Sequence, residues 1–194
     1  MHAALRLAPV LLAVALTACG ETATPRATTW TPVEEAALTP AQKAQRAKAD
    51  DARQALFGRL MGRLTEAMGT GGPAVAITVC QHEAHGLAAA VAKEKGVAIG
   101  RTSHKLRSPL NAPPEWARTY VDARRVTPAF VAHADGRLGV LEPIRLKASC
   151  LACHGDPATI APAVREVLAK DYPRDAATGF REGDLRGWFW VEVP

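Results

Sequence analysis

The segment SCLACHGD, residues 149–156, limits the folds open to this chain more than any other stretch. It holds Cys150, Cys153 and His154 at the C-x-x-C-H spacing, which attaches a c-type haem through two thioether bonds and offers the adjacent imidazole to the iron. A chain with this motif must fold around a large flat group and leave room at the second face of the iron. We therefore predict one covalent haem c, with His154 as an axial ligand.

Two other kinds of site use closely spaced cysteines. A redox C-x-x-C does not need the following His, and a structural zinc site needs a second Cys/His pair at ligand spacing, which the sequence lacks. Two common small cytochromes also fit poorly. Small electron carriers that resemble mitochondrial cytochrome c have the motif near the N-terminus and a Met ligand after it, but no Met follows Met68 in this chain. Helical bundles that resemble cytochrome c′ have the motif on their last helix, but here 40 residues follow His154.

The N-terminus is typical of an export signal. One Arg precedes an apolar stretch from Leu7 to Leu16, so we expect residues 1–18 to be a signal peptide. The run Leu16–Cys19 resembles a bacterial lipobox, which predicts lipidation of Cys19. Cleavage after Ala18 without lipidation is the alternative.

The export prediction sets the expected organisation. Residues 19–38 are rich in Thr, Ala and Pro and would form a lipid-anchored tether, followed by one domain over residues 39–194. We expect the protein on the periplasmic side of a bacterial membrane, anchored by lipid or, in the alternative, soluble. The net charge is +5, but there is no dense basic run with interleaved aromatic residues, so nucleic acid is not an expected partner.

The pattern along the domain predicts a mixed α+β fold. Thr39-Pro40 and Gln42 are a helix start, and apolar residues at three- and four-residue spacing continue the helix to Gly69. Residues 71–73 interrupt the chain, and a β-branched run then leads into a helical pattern that ends at Gly96. Further expected elements are a strand at 97–103, a short helix at 116–125, a hairpin at 129–146, a helix at 162–170 and a strand at 187–193.

The second axial ligand has several candidates in the sequence: Cys80, His82, His85, His104, His133, Met61 and Met68. Both Met residues lie on the apolar stripe of the first helix, which favours the core. His133 lies next to the expected Asp135-Gly136 turn, which favours exposure.

Helical phase separates Cys80 from its histidine neighbours. At about 100° per residue, Cys80 shares an apolar face with Ala84 and Val91, whereas His82 and His85 point away from it. After Cys19 takes lipid and the motif takes haem, Cys80 is also the cysteine without a partner. A buried structural thiol is the alternative for Cys80, and His104 remains a rival ligand.

An ordered set of short segments resembles a family of PAS-like c-type haem domains. The segments are AITVC (76–80), GRTS (100–103), RSPLNAP (107–113), CLACHG (150–155), YPRDAATGF (172–180) and EGDLRG (182–187). The resemblance covers roughly residues 40–194 and implies a PAS-like antiparallel sheet flanked by helices, with a long N-terminal helix. Ser108, where the family usually has Asn, and Trp188–Trp190 depart from its pattern.

The resemblance also implies an unusual ligand set. The Cys of the AITVC segment, here Cys80, is the family position for a thiolate opposite the His of the motif. Among the basic residues nearby, Arg101, Lys105 and Arg107 are candidates to bind the haem propionates, because guanidinium groups suit carboxylates. A solvated polar loop is the alternative for this cluster.

These observations predict an exported monohaem cytochrome of low reduction potential that exchanges electrons with an unidentified redox partner. The alternative is a haem-based redox or gas sensor that releases Cys80 on reduction and acts through a partner protein. We do not expect an enzyme, because haem catalysis needs an open iron site beside an acid–base group.

Overall fold

A computed structural model describes residue 1 and residues 30–194. The predicted signal peptide, Cys19 and most of the predicted tether lie outside the described residues. The elements follow in the order β1 (Trp30–Val33), α1 (Pro40–His82), α2 (Ala84–Lys95), β2 (Ala98–Thr102), α3 (Arg118–Asp122), β3 (Ala129–His133), β4 (Leu138–Arg145), α4 (Leu151–His154), α5 (Pro162–Asp171) and β5 (Leu185–Val193). No described helix has the length and hydropathy needed to span a bilayer.

One antiparallel sheet organises the domain, with strand order β1-β3-β4-β5-β2. Side chains alternate along β5, so Phe189, Val191 and Val193 face one cluster while Trp188 belongs to another. The first cluster packs α1 and α2 on the sheet through Leu56 and Val91. The predicted α+β fold, with an antiparallel sheet, flanking helices and a long N-terminal helix, is confirmed.

The long helix α1 consists of two arms. Thr39 and Gln42 form a reciprocal capping box at its start, as the sequence predicts. Gly72 has a left-handed φ of 71° and precedes Pro73, which divides α1 into a first arm, residues 40–71, and a second arm, residues 73–82. The β-branched run 74–80 is thus helical, because tertiary packing of Ile77 and Val79 outweighs its strand propensity.

Residues 30–38 correct the predicted tether. Trp30–Val33 forms β1, which pairs with β3 at one edge of the sheet, and Leu38 is buried in the first core cluster. The described fold therefore includes residues 30–38, which the sequence assigned to the tether. The segment lacks apolar periodicity because β1 is an edge strand whose pairing partner lies about 100 residues further along the chain.

Two predictions about burial are also wrong. Met61 and Met68 are 37% and 40% exposed, because the inward stripe of α1 runs through Leu56, Leu60 and Ala67 instead. His133 is half-buried rather than exposed, because its ring packs 4.6 Å from the Trp30 ring and its Nδ1 lies 2.6 Å from Asp135 Oδ1. The Asp135-Gly136 turn itself lies where the sequence predicts it.

Candidate metal centre

The C-x-x-C-H motif forms a short helical segment beside the loop that precedes β5. Cys150 ends a 3-10 turn, and Leu151–His154 forms α4. The Phe180 N–H donates to the His154 carbonyl at 3.0 Å, and the Gly179 N–H donates to the Gly155 carbonyl at 2.7 Å. These bonds join the motif to the YPRDAATGF segment, so the two stretches form one wall of the site.

His154 is held as a neutral imidazole with a defined tautomer. Its Nδ1 lies 2.7 Å from the Ala177 carbonyl oxygen, which can only accept, so Nδ1 carries the proton. Burial, together with the charges of the neighbouring Arg107 and Arg186, lowers the pKa of His154 to about 2. The unprotonated Nε2 is therefore available as a metal ligand, with the ring oriented by the bond at Nδ1.

Cys80 lies on the second arm of α1 and belongs to the same site. Its side chain is half-buried, whereas His82 and His85 are exposed, as the helical phase predicts. Burial raises the pKa of the Cys80 thiol, while Arg101, Arg107 and Arg186 act in the opposite direction. The same three guanidinium groups act on His154, so the thiol and the imidazole share one electrostatic environment.

Packing explains how the second arm of α1 reaches the motif. Ile77 joins a cluster with Tyr172 and residues of α5, and the half-buried Cys153 packs against that cluster. Gln81 Nε2 also donates to the Asp171 carbonyl at 3.3 Å, at the end of α5. Helix α5 thus connects the segment that carries Cys80 to the segment that carries His154.

Arg107 is buried and links two backbone segments through hydrogen bonds. Its Nε donates to Asp175 Oδ2 at 3.0 Å, and one terminal nitrogen donates to the Cys153 carbonyl at 2.6 Å and the Ala177 carbonyl at 3.3 Å. The Arg107 and Asp175 side chains are 9% and 10% exposed. Arg107 therefore fixes the backbone of the motif and of the segment that orients His154.

Arg101 and Arg186 are the other two guanidinium groups of the site. Among residues 30–194, neither lies within ion-pair distance of a carboxylate. Burial lowers the pKa of Arg101, and burial with the charges of Arg107 and Arg101 lowers that of Arg186 to about 10. Within residues 30–194, the two guanidinium groups of this half-buried site thus form no ion pair, although the Asp175 charge acts on Arg186.

The remaining predicted site residues have clear positions. Lys105 Nζ donates to the Thr178 carbonyl at 2.6 Å and lies over the Phe180 ring. His104 packs edge-on against Phe180, 6.0 Å between centroids, and His154 packs edge-on against the same ring at 6.4 Å. His104 and His154 thus contact the same aromatic ring.

Sequence reasoning missed two residues of this site. Asp175 is the carboxylate that pairs with Arg107, and Arg186 is the third guanidinium group. Both residues lie in segments that carry the family resemblance, YPRDAATGF and EGDLRG, and this was the sequence signal that could have identified them. Within residues 30–194, no three His, Cys, Asp or Glu side chains are grouped so as to hold a metal ion by themselves.

The fold and the site define a class: α+β domains in which a C-x-x-C-H motif lies beside a buried thiol and a guanidinium cluster. The chain belongs to the Tll0287-like family, whose model matches residues 20–194, and this confirms the resemblance to a haem-domain family. It is similar to a solved structure, that of the cyanobacterial heme-protein Tll0287, at 27% sequence identity and a TM-score of 0.57. The match covers 81% of this chain and 97% of that chain. No curated protein matches the chain.

Proposed function

We propose that the chain is an exported monohaem c-type cytochrome of low reduction potential that serves in electron transfer. The observation that carries the proposal is the neutral His154 imidazole, fixed by Ala177 beside the two motif thiols and in one electrostatic environment with Cys80. Family membership supports it, because the similar solved structure is described as that of a heme-protein.

The side chains present fit a covalently attached haem. Cys150 and Cys153 are free and half-buried, as thioether-forming thiols must be before attachment. His154 and Cys80 supply one nitrogen and one sulfur ligand, the pair expected from the family resemblance. Arg101 and Arg107 are the predicted contacts for the propionates, and the unpaired charge at this site calls for anions.

The bound haem supplies one-electron redox chemistry. The chain's own residues would tune it: a Cys80 thiolate bound to the iron would donate electron density, stabilise the ferric state and so lower the reduction potential. Ala177 keeps the His154 ring in one orientation through the Nδ1 bond. With His154 and Cys80 both offered to the iron, the site would favour electron exchange over substrate binding, and we propose no enzymatic activity.

The proposed location and partners follow from the sequence. Lipidation of Cys19 would anchor the protein to a membrane on the periplasmic side, and a soluble periplasmic form would result from cleavage without lipid. An unidentified redox partner would exchange electrons with the haem. We propose no nucleic-acid partner.

Optical spectroscopy of the haem-loaded protein, ferric and ferrous, tests the proposal. We expect Cys80→Ala to keep its covalent haem but to change the ferric spectrum, while His104→Ala, the matched variant of the rival ligand, leaves the spectrum unaltered. Cys153→Ser should lose part of the covalent attachment, seen as haem released under denaturing conditions.

Two results would change the assignment. A ferric spectrum that is the same with and without Cys80 would contradict the thiolate ligand. Rapid carbon monoxide binding to the ferrous protein would instead favour the sensor that releases Cys80 on reduction, whereas a ferrous iron that stays six-coordinate supports electron transfer.

A further inference from the structure

The three arginines of the site have unequal roles. We propose that Arg186, together with Arg101, binds the two haem propionates, and that Arg107 acts as a positioning residue for the motif. This inference rests on the proposed haem site and revises which guanidinium groups face the cofactor's carboxylates.

Arg107 already has a carboxylate partner and two backbone acceptors in the protein. It bonds Asp175 and the carbonyl groups of Cys153 and Ala177, all within 3.3 Å, and the whole group is buried. A guanidinium group in this position balances one carboxylate and holds two backbone segments. Three of its five N–H donors are used in this way and its charge is balanced by Asp175, so it is less suited than an unpaired guanidinium group to bind a second anion.

Arg186 has the opposite environment. Its one side-chain hydrogen bond to the described residues is from a terminal nitrogen to the Lys105 carbonyl at 3.3 Å, and its guanidinium carbon lies 5.7 Å from the centre of the Phe180 ring. Arg101 makes no side-chain hydrogen bond or ion pair to residues 30–194. Both groups therefore have donors that face no protein acceptor, beside His154 and Cys80.

The charges of the cluster agree with two propionates. The three guanidinium groups carry three positive charges, and Asp175 is the one carboxylate of the described chain within ion-pair distance of any of them. Two positive charges remain. A haem has two propionate groups, each with one negative charge, and guanidinium groups bind carboxylates through paired hydrogen bonds.

The local backbone explains why Arg186 can occupy this position. A Cβ on Gly187 would lie 2.1 Å from the Thr102 carbonyl oxygen, so a glycine is needed for β5 to approach the end of β2 this closely. The Ser103 hydroxyl also donates to the Arg186 carbonyl at 2.6 Å. These contacts fix the Arg186 backbone next to the strand that carries Arg101.

The test compares arginine variants of the haem-loaded protein by resonance Raman spectroscopy of the propionate bending bands and by the reduction potential. We expect Arg186→Gln and Arg101→Gln to shift the propionate bands and to lower the potential, because each removes a positive charge near the iron. Arg59→Gln, the control on α1, should change neither quantity. Arg107→Gln should mainly reduce resistance to urea, with recovery in the double variant Arg107→Gln/Asp175→Asn.

Unchanged propionate bands in haem-loaded Arg186→Gln would overturn the inference. Should that variant not accumulate, Arg186→Lys serves instead, since it keeps the charge but not the paired donors: shifted bands support the inference and unchanged bands overturn it. Absence of covalent haem from the unaltered chain is a separate result, which contradicts the proposed function and is established before any variant is compared.

Discussion

The arginines of helix α1 and the arginines of the candidate site differ in whether each has a carboxylate partner. Each arginine of α1 lies within ion-pair distance of a carboxylate, in the pairs Arg46–Glu35, Arg53–Asp50, Arg59–Glu94 and Arg63–Glu83. At the site, Arg107 has Asp175, whereas Arg101 and Arg186 have no such partner within residues 30–194. The arginines of α1 are thus balanced by carboxylates, whereas two of the three site arginines have no ion pair within the described residues.

The pKa values show the same contrast. The Glu83 hydrogen bond raises the pKa of Arg63, which is exposed to solvent, while burial lowers that of Arg186 to about 10. Exposed ion pairs contribute little to stability, and unpaired charge in a buried site opposes folding. Such a cluster is therefore expected where function requires it, here by binding an anionic group.

The largest expected effect comes from removing the carboxylate that pairs with the buried Arg107. Asp175→Asn leaves the Arg107 guanidinium buried without a charged partner, and loss of one member of a buried pair costs roughly 3–5 kcal/mol. Urea unfolding of the variant measures this loss. Glu94→Gln, which removes the exposed partner of Arg59, is the matched control and should leave the unfolding midpoint nearly unchanged. Equal midpoints for the two variants would refute the contrast between the regions.

A second variant acts on the backbone that places Arg186. A methyl group in Gly187→Ala would collide with the Thr102 carbonyl, so strands β2 and β5 must separate locally, at a cost of about 1–3 kcal/mol. Gly62→Ala on α1 is the control, because a Cβ there meets nothing within 4 Å and should stabilise the helix by about 1 kcal/mol. Thermal unfolding should move in opposite directions for the two variants, and a stabilised Gly187→Ala would contradict the close approach.

The smallest expected effect is on the pH dependence of stability, and it concerns an ion pair of α1. The hydrogen bond from Arg63 lowers the pKa of Glu83 in the folded chain. As the pH falls below about 4–5, the unfolded chain therefore takes up the proton first, and the stabilisation present at neutral pH is lost. We expect urea unfolding of Glu83→Gln to vary less between about pH 5 and pH 3 than that of the unaltered chain. Glu115→Gln, an exposed carboxylate without an ion pair in the described chain, should keep the unaltered slope.

Local signals account for the parts of the fold that the sequence predicted. The Thr39 capping box, the Gly96 helix end and the Asp135-Gly136 turn each depend on residues close together in the chain. Strand β1 was missed because an edge strand is defined by its pairing with β3, which a local pattern does not show. Likewise, Met61 and Met68 share the helical spacing of core residues, and packing alone decides that the neighbouring stripe is buried.

The residues of the site also fall into those with a local sequence signal and those that depend on long-range contacts. Cys150, Cys153 and His154 form a local motif, and Cys80 emerged from its helical phase and its lack of a cysteine partner. Asp175 and Arg186 could not be assigned roles from the sequence, because Arg107 meets Asp175 across 68 residues and Arg186 joins the site through a close strand contact. Charge balance in a buried cluster depends on tertiary contacts that neither segment reveals by itself.

The account depends most on the proposed pair of iron ligands, His154 and Cys80. X-ray absorption at the iron edge of the ferric, haem-loaded protein measures that pair directly. We predict a sulfur scatterer in the first coordination shell of the unaltered protein and its loss in Cys80→Ala, with covalent haem retained. A first shell that contains nitrogen ligands alone in the unaltered protein would contradict the account.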